Sequence, residues 1–192
     1  FVLWESNTIC RYLAAEHART DLLPAAPRER ALVEQWMDWQ AGELNNAWRY
    51  AFMALVRQSP AHTDPAAIKA SAGQWNRHMA MLDAQLQRTG AYATGPAFTL
   101  ADVVLGLSVN RWFMTPIERP GLPAVVAYQE RLSQRPGYLL HGRHGGAEEG
   151  ERPEGAQQLH ARLGPVRQLL AAQVEQHDHE QEQHHDRARI HG

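Results

Sequence analysis

Chemistry in this chain begins at a glutamate followed directly by a serine. Glu5-Ser6 stands at the head of a segment, Glu5 to Ala15, in which Ile9, Tyr12 and Leu13 recur at helical spacing. The first turn of a helix carries unpaired backbone N–H groups and the positive end of its dipole, so it favours an anion, and a serine hydroxyl there adds a donor. The same two residues serve equally well as a first-turn acid and a cap. A second polar set lies at Asn46, Arg49 and Tyr50, three or four residues apart and hence on neighbouring helix faces, amid aromatic residues. It suits a polar substrate or a solvated surface. The single Cys10 follows the Glu-Ser pair inside the same helix and reads as a small buried residue rather than a nucleophile. His177, His179, His184 and His185 have the composition of a metal-binding tract, but their segment supplies no scaffold to fix the geometry a zinc site needs, and no metal is expected.

These side chains need elements to hold them, and the spacing of apolar residues predicts mostly helices. Phe1 to Leu3 read as the end of a strand feeding the Glu-Ser helix. From Ala18 to Pro27, two prolines around Leu22-Leu23 prevent helix continuation and describe an ordered link that docks its leucines. Leu32, Trp36, Trp39, Leu44, Trp48, Ala51 and Leu55 then predict one long helix from Arg28 to about Arg57, stopped at Ser59-Pro60. Its three tryptophans, Trp36, Trp39 and Trp48, are expected in core or subunit contacts. Asp64-Pro65 caps the next helix, in which Ile68, Ala72, Trp75, Met79, Leu82 and Leu86 share a stripe, and Gly90 terminates it. The best local signal is a capping box: Thr99 caps the amide three residues on, Asp102 answers back to Thr99, and Phe98 with Val103 occupy the positions of a hydrophobic staple. A short helix from Pro123 to Leu132 and a last turn from Arg135 to Leu140 follow.

Composition narrows the function classes. The 192 residues carry a formal net charge of −2, with charges of both signs interspersed, which gives nucleic acid no basic footprint. The most apolar stretch, Leu100 to Val109, is shorter than the ~20 residues that span a bilayer and contains Asp102. One cysteine allows no intrachain disulfide, which suits a reducing compartment, and the start lacks the basic-then-apolar pattern of a secretory signal. A cytoplasmic location is therefore expected. The chain opens without Met and in mid-pattern, as a fragment would, and residues 141–192 change character towards Gly, His, Gln, Glu and Arg, an atypical tail expected to be disordered or partly helical, with an amphipathic segment from Leu159 to Val174.

Three ordered segments carry a family resemblance over roughly residues 1 to 140. Leu3-Trp4-Glu5-Ser6-Asn7-Thr8-Ile9-Cys10-Arg11-Tyr12-Leu13 resembles the end of the thioredoxin-like domain of glutathione transferases. Asp21-Leu22-Leu23-Pro24 is similar to that family's interdomain link, and Phe98-Thr99-Leu100-Ala101-Asp102-Val103 to the capping segment of its helical domain. The resemblance implies a mainly all-α chain: 1–17 a remnant of the thioredoxin-like domain with its last strand and helix, 18–27 the link, 28–140 the helical C-terminal domain.

The resemblance also implies roles. Glutathione is the expected co-substrate, its γ-glutamyl carboxylate on the Ser6 hydroxyl and nearby amides and its ammonium on the Glu5 carboxylate. Asn46, Arg49 and Tyr50 become candidates for the wall of the acceptor pocket. The family's thiolate-stabilising Ser, Cys or Tyr and its backbone-gripping cis-proline precede the strand at which this chain opens, so no catalytic residue is assigned. The implied reaction is conjugation of the glutathione thiolate to a small electrophile in a homodimer with a complete first domain, and negligible turnover by this chain alone. A glutathione-dependent isomerase or dehalogenase, or a non-catalytic scaffold, uses the same fold.

Overall fold

The computed structural model describes residues 1–142, all within one compact unit. The tail from 143 onward, with the expected amphipathic segment Leu159 to Val174 and the four tail histidines, lies outside the described residues. Seven α-helices occupy the described part: α1 Ser6–Glu16, α2 Pro27–Trp39, α3 Asn45–Leu55, α4 Pro65–Thr89, α5 Leu100–Met114, α6 Pro123–Leu132 and α7 Pro136–His141.

Two expectations need correction. Residues 1–5 form no strand, and none occurs among the described residues; a strand needs a neighbour to take up its N–H and C=O groups, and Phe1 and Val2 instead stand 97% and 89% exposed. The single long helix expected from Arg28 is helical throughout, but a five-residue π-helical turn, Gln40–Leu44, separates α2 from α3, and α3 ends at Leu55. Wide i→i+5 turns of this kind are uncommon and gather at functional sites.

The remaining elements form where their local signals put them. Asp64 accepts from the Ala66 amide at 2.9 Å with Pro65 in the first turn of α4, and Gly90 closes that helix at φ 78°, a left-handed conformation that costs glycine little. The chain at Leu22-Leu23 docks: Leu23 is buried, and the Leu22 carbonyl accepts from the Leu100 amide at 2.9 Å.

Helix α5 runs through the middle of the core, and most of its circumference is buried, including Leu105, Val109 and Trp112. Full burial of each such leucine or valine is worth about 1.5–3 kcal/mol, so this helix carries a large share of the apolar gain. Its start is anchored by Asp102, itself buried. That carboxylate accepts from the Thr99 amide at 2.8 Å, the Thr99 hydroxyl at 3.1 Å, the Ala93 amide at 2.9 Å and the Tyr128 hydroxyl at 2.9 Å. One side chain thereby ties the box, the preceding loop and α6 together. Phe98 and Val103 pack against the core on either side of the box.

Two further joints rest on small or polar residues. The Ser71 hydroxyl of α4 donates to the Ala47 carbonyl at 2.7 Å and accepts from the Ala51 amide at 3.1 Å, inserting into the backbone ladder of α3, where two alanines allow close approach. Asp83, buried on α4, accepts from the Val125 amide at 2.9 Å and so caps α6 from a distant element.

Candidate functional site

The backbone at Glu5 departs from the ordinary regions. Its φ of 69° and ψ of 113° make it one of three non-glycine residues with positive φ among those described, and it is the residue that precedes α1. A conformation this sparsely populated costs on the order of 1–3 kcal/mol and persists only where neighbouring structure enforces it. The turn swings the Glu5 side chain out of the capping position: no side chain caps α1, and no acid lies in its first turn. The first helical bond runs from the Ile9 amide to the Glu5 carbonyl at 2.9 Å, so the amides of Ser6, Asn7 and Thr8 have no intrahelical acceptor. Glu5 and Ser6 are both exposed. The arrangement offers an incoming anion three amides, one hydroxyl and a dipole end, with a carboxylate beside them for a cation.

Helix α2 holds the residues that follow Glu5. The Asn7 side chain donates to the Met37 carbonyl at 3.0 Å, and Arg11 pairs with Asp38 and lies 3.6 Å from Glu34, all three contacts on α2. Ala14 is buried against the core. The π-turn lies just beyond Met37 and turns polar atoms inward: the Gln40 amide donates to Ser108 of α5 at 2.9 Å and to Asn45 at 3.0 Å, and the Trp48 indole donates to the same Asn45 oxygen at 3.0 Å. Sequence spacing gave no warning of Gln40 or Ser108; Asn7 alone carried a signal, as the polar residue directly after the pair.

The second polar set is placed differently. Asn46 is exposed and its side chain donates to the Gly42 carbonyl in the π-turn, Arg49 is exposed, and the Tyr50 hydroxyl accepts from the Asp64 amide at 3.3 Å while its ring meets His62 edge-on at 4.8 Å. Among the described residues no hydrogen bond or ion pair joins these three to Glu5 or Ser6. Cys10 is half-buried, and burial raises its thiol above the ordinary value despite the opposing charge of Arg11, which is the reverse of what a reactive thiolate requires. The tryptophans pack on one another and on histidine, Trp36 on Trp39 at 5.0 Å and Trp39 on His78 at 5.7 Å. Among the described residues no three His, Cys, Asp or Glu side chains gather as a metal site would, and no helix is long and apolar enough to cross a membrane.

Known proteins share this architecture. Residues 45–136 match the family described as glutathione S-transferase, C-terminal domain. The chain is 36% identical over 135 residues to glutathione S-transferase GstB of Escherichia coli, covering 70% of this chain and 64% of that protein. It is 34% identical over 145 residues to glutathione S-transferase 3 of Zea mays, again covering 64% of the relative. The chain thus spans somewhat less than two thirds of the length of these curated relatives. Among solved structures, the theta class glutathione S-transferase of Xanthomonas axonopodis pv. citri with glutathione bound is 43% identical, superposes with a TM-score of 0.67, and is matched over 72% of each chain. Its apo form gives a TM-score of 0.68 at 42% identity. With a helical domain of this topology, and with these levels of identity and coverage, the chain belongs to the glutathione S-transferase family.

Proposed function

We propose that Glu5 and Ser6 form one end of a glutathione site, and that the protein carrying this chain conjugates the glutathione thiolate to electrophilic small molecules. The observation that carries the reading is the start of α1, where a disfavoured Glu5 backbone leaves the amides of Ser6, Asn7 and Thr8 uncapped in a member of a glutathione-using family. In this reading Ser6 and the free amides hold the γ-glutamyl carboxylate, and Glu5 holds its ammonium. Asn46, Arg49 and Tyr50 serve the acceptor side, with Arg49 the residue free to meet a polar group. Residues 1–17 belong to a thioredoxin-like domain, 18–27 to the link and 28–140 to the helical domain. The working protein is a cytoplasmic homodimer with glutathione as co-substrate and no metal.

Conjugation needs the thiol's pKa lowered, by a hydrogen-bond donor to the sulfur, so that thiolate exists at neutral pH, and an apolar wall for the electrophile. No described residue near Glu5-Ser6 supplies that donor, so a polypeptide of these 192 residues alone is expected to give negligible conjugation of a chlorinated nitrobenzene; measurable turnover by it would overturn this part. Joined to a complete thioredoxin-like half, the chain tests the site itself. Ser6→Ala and Glu5→Ala are each expected to raise KM for glutathione roughly ten- to a hundredfold, the loss of one hydrogen bond to a charged group, with a smaller change in kcat. An unchanged KM in both variants would remove the pair from the site. Glutathione binding without any conjugation would turn the reading towards a scaffold on the same fold.

A further inference from the structure

Away from the Glu5-Ser6 site, the C-terminal ends of α3 and α5 bring two guanidinium groups to one aromatic pair. Arg111, in the last turn of α5, sits over the Trp48 indole at 4.3 Å and over the Phe52 ring at 5.3 Å. Arg57, just past α3, approaches the same Phe52 ring at 5.6 Å. Trp48 and Phe52 are themselves set edge to face at 5.2 Å, and the Trp48 indole is held by its bond to Asn45. Arg111 thus rests on a fixed aromatic floor.

Neither guanidinium has an anion among the described residues. Among the described residues the ion pairs use Arg11, Arg19 and Arg30, and no hydrogen bond is donated by the Arg57 or Arg111 side chain. The usual reason for an arginine late in a helix is to meet the last carbonyls, yet here that work falls to Arg119, which donates to the Trp112 carbonyl at 3.2 Å and the Thr115 carbonyl at 2.7 Å. Arg111 is half-buried, so part of its hydration is lost, and the neighbouring Arg57 adds repulsion; both effects press its pKa below the ordinary value. A guanidinium set over an indole face is held there by the ring's quadrupole, and the planar fork of five N–H donors on Arg111 has no acceptor among the described residues. That is a preorganised fork with its charge uncompensated.

We propose that Arg57 and Arg111, on the floor made by Trp48 and Phe52, bind a small oxyanion: either a free inorganic one or the carboxylate of an organic acid. The oxyanion accepts from the in-plane edge of Arg111 and from the exposed Arg57 together, neutralising two like charges that no described side chain neutralises. The site shares no residue with Glu5-Ser6 and does not rest on glutathione binding.

Calorimetric titration of the 192-residue chain with benzoate, with sulfate and with benzamide tests this. Benzoate, sulfate or both are expected to bind and the uncharged benzamide is not; benzoate alone marks the organic acid, and sulfate at equal or greater affinity marks the inorganic ion. Arg111→Gln is expected to weaken anion binding roughly tenfold or more, one charge-assisted fork. Arg57 is exposed and outside the core, so Arg57→Gln keeps the test readable should Arg111→Gln fail to fold; a loss of roughly three- to tenfold is expected there. Failure of both anions to bind with a Kd of about 10 mM or tighter, benzamide binding as well as benzoate, or undiminished affinity in Arg57→Gln overturns the proposal.

Discussion

Asp102 concentrates more of the fold than any other single side chain described. Four donors from three segments converge on it, so its replacement strands several buried polar groups at once. Asp102→Ala is expected to lower the unfolding free energy by about 3 kcal/mol or more, since each orphaned buried donor costs about 1–3 kcal/mol; chemical denaturation checks it, and an unchanged midpoint would count against the network. Burial raises its pKa above the ordinary value of 3.8 in spite of those donors. The folded chain therefore keeps this proton at pH values where the unfolded chain has released it. The group's stabilising contribution is complete below pH 3.8 and declines as pH rises through the folded-state value. Subtracting the denaturation curve of Asp102→Asn from that of the unaltered chain across roughly pH 3.5 to 6 isolates this slope, which is expected to be negative. The box itself was legible from Thr99 and Asp102 alone, because it obeys a three-residue spacing. The Ala93 and Tyr128 bonds were not legible, because they close only when loop and α6 arrive.

Among elements, the helix ends were read well and the helix contacts poorly. Asp64-Pro65 and Gly90 announce themselves through local backbone requirements, whereas the long-range cap of α6 by Asp83 depends on α4 and α6 packing side by side. The π-turn escaped the periodicity because one additional residue within a 30-residue apolar pattern shifts its phase without breaking it. The strand expected at Phe1 to Leu3 had the right residue types, but pairing is a property of two segments and not of one. Gly106 shows the limit most clearly: in the sequence it is an unremarked glycine in a strong helix. In the structure a β-carbon there would stand 2.9 Å from the Leu132 methyl and 3.2 Å from the Tyr138 ring. Leu132 is fully buried and has nowhere to retreat. Gly106→Ala, which would gain helix propensity in isolation, is expected to destabilise the fold by about 1–3 kcal/mol, read from the shift in Tm.

At the scale of the whole molecule, residues 1–142 hold a continuous helical core joined to a short leading helix whose other face is thinly covered. Leu23, Val33, Met37, Leu105, Val109 and Trp112 are buried, while Tyr12 and Leu13 of α1 remain 40% and 46% exposed. In the proposed reading stability and chemistry sit in different places. The capping box and α5 govern whether the domain folds, and the Glu5-Ser6 turn, as the proposed glutathione end, would govern what it can hold. Variants of Glu5 or Ser6 are accordingly expected to alter ligand binding while leaving the denaturation midpoint nearly in place, and variants of Asp102 or Gly106 to do the reverse.

The π-turn between α2 and α3 sets the angular phase of everything after it. Each residue of a helix advances the side chains by about 100°, so removing one residue from Gln40–Leu44 to restore regular winding would rotate all of α3 by that amount relative to α2. Ala47 and Ala51 would leave the Ser71 hydroxyl, and Trp48 and Phe52 would turn away from Arg111. The turn works as a gear tooth, letting one continuous rod present α1's partner at one end and α4's and α5's partners at the other.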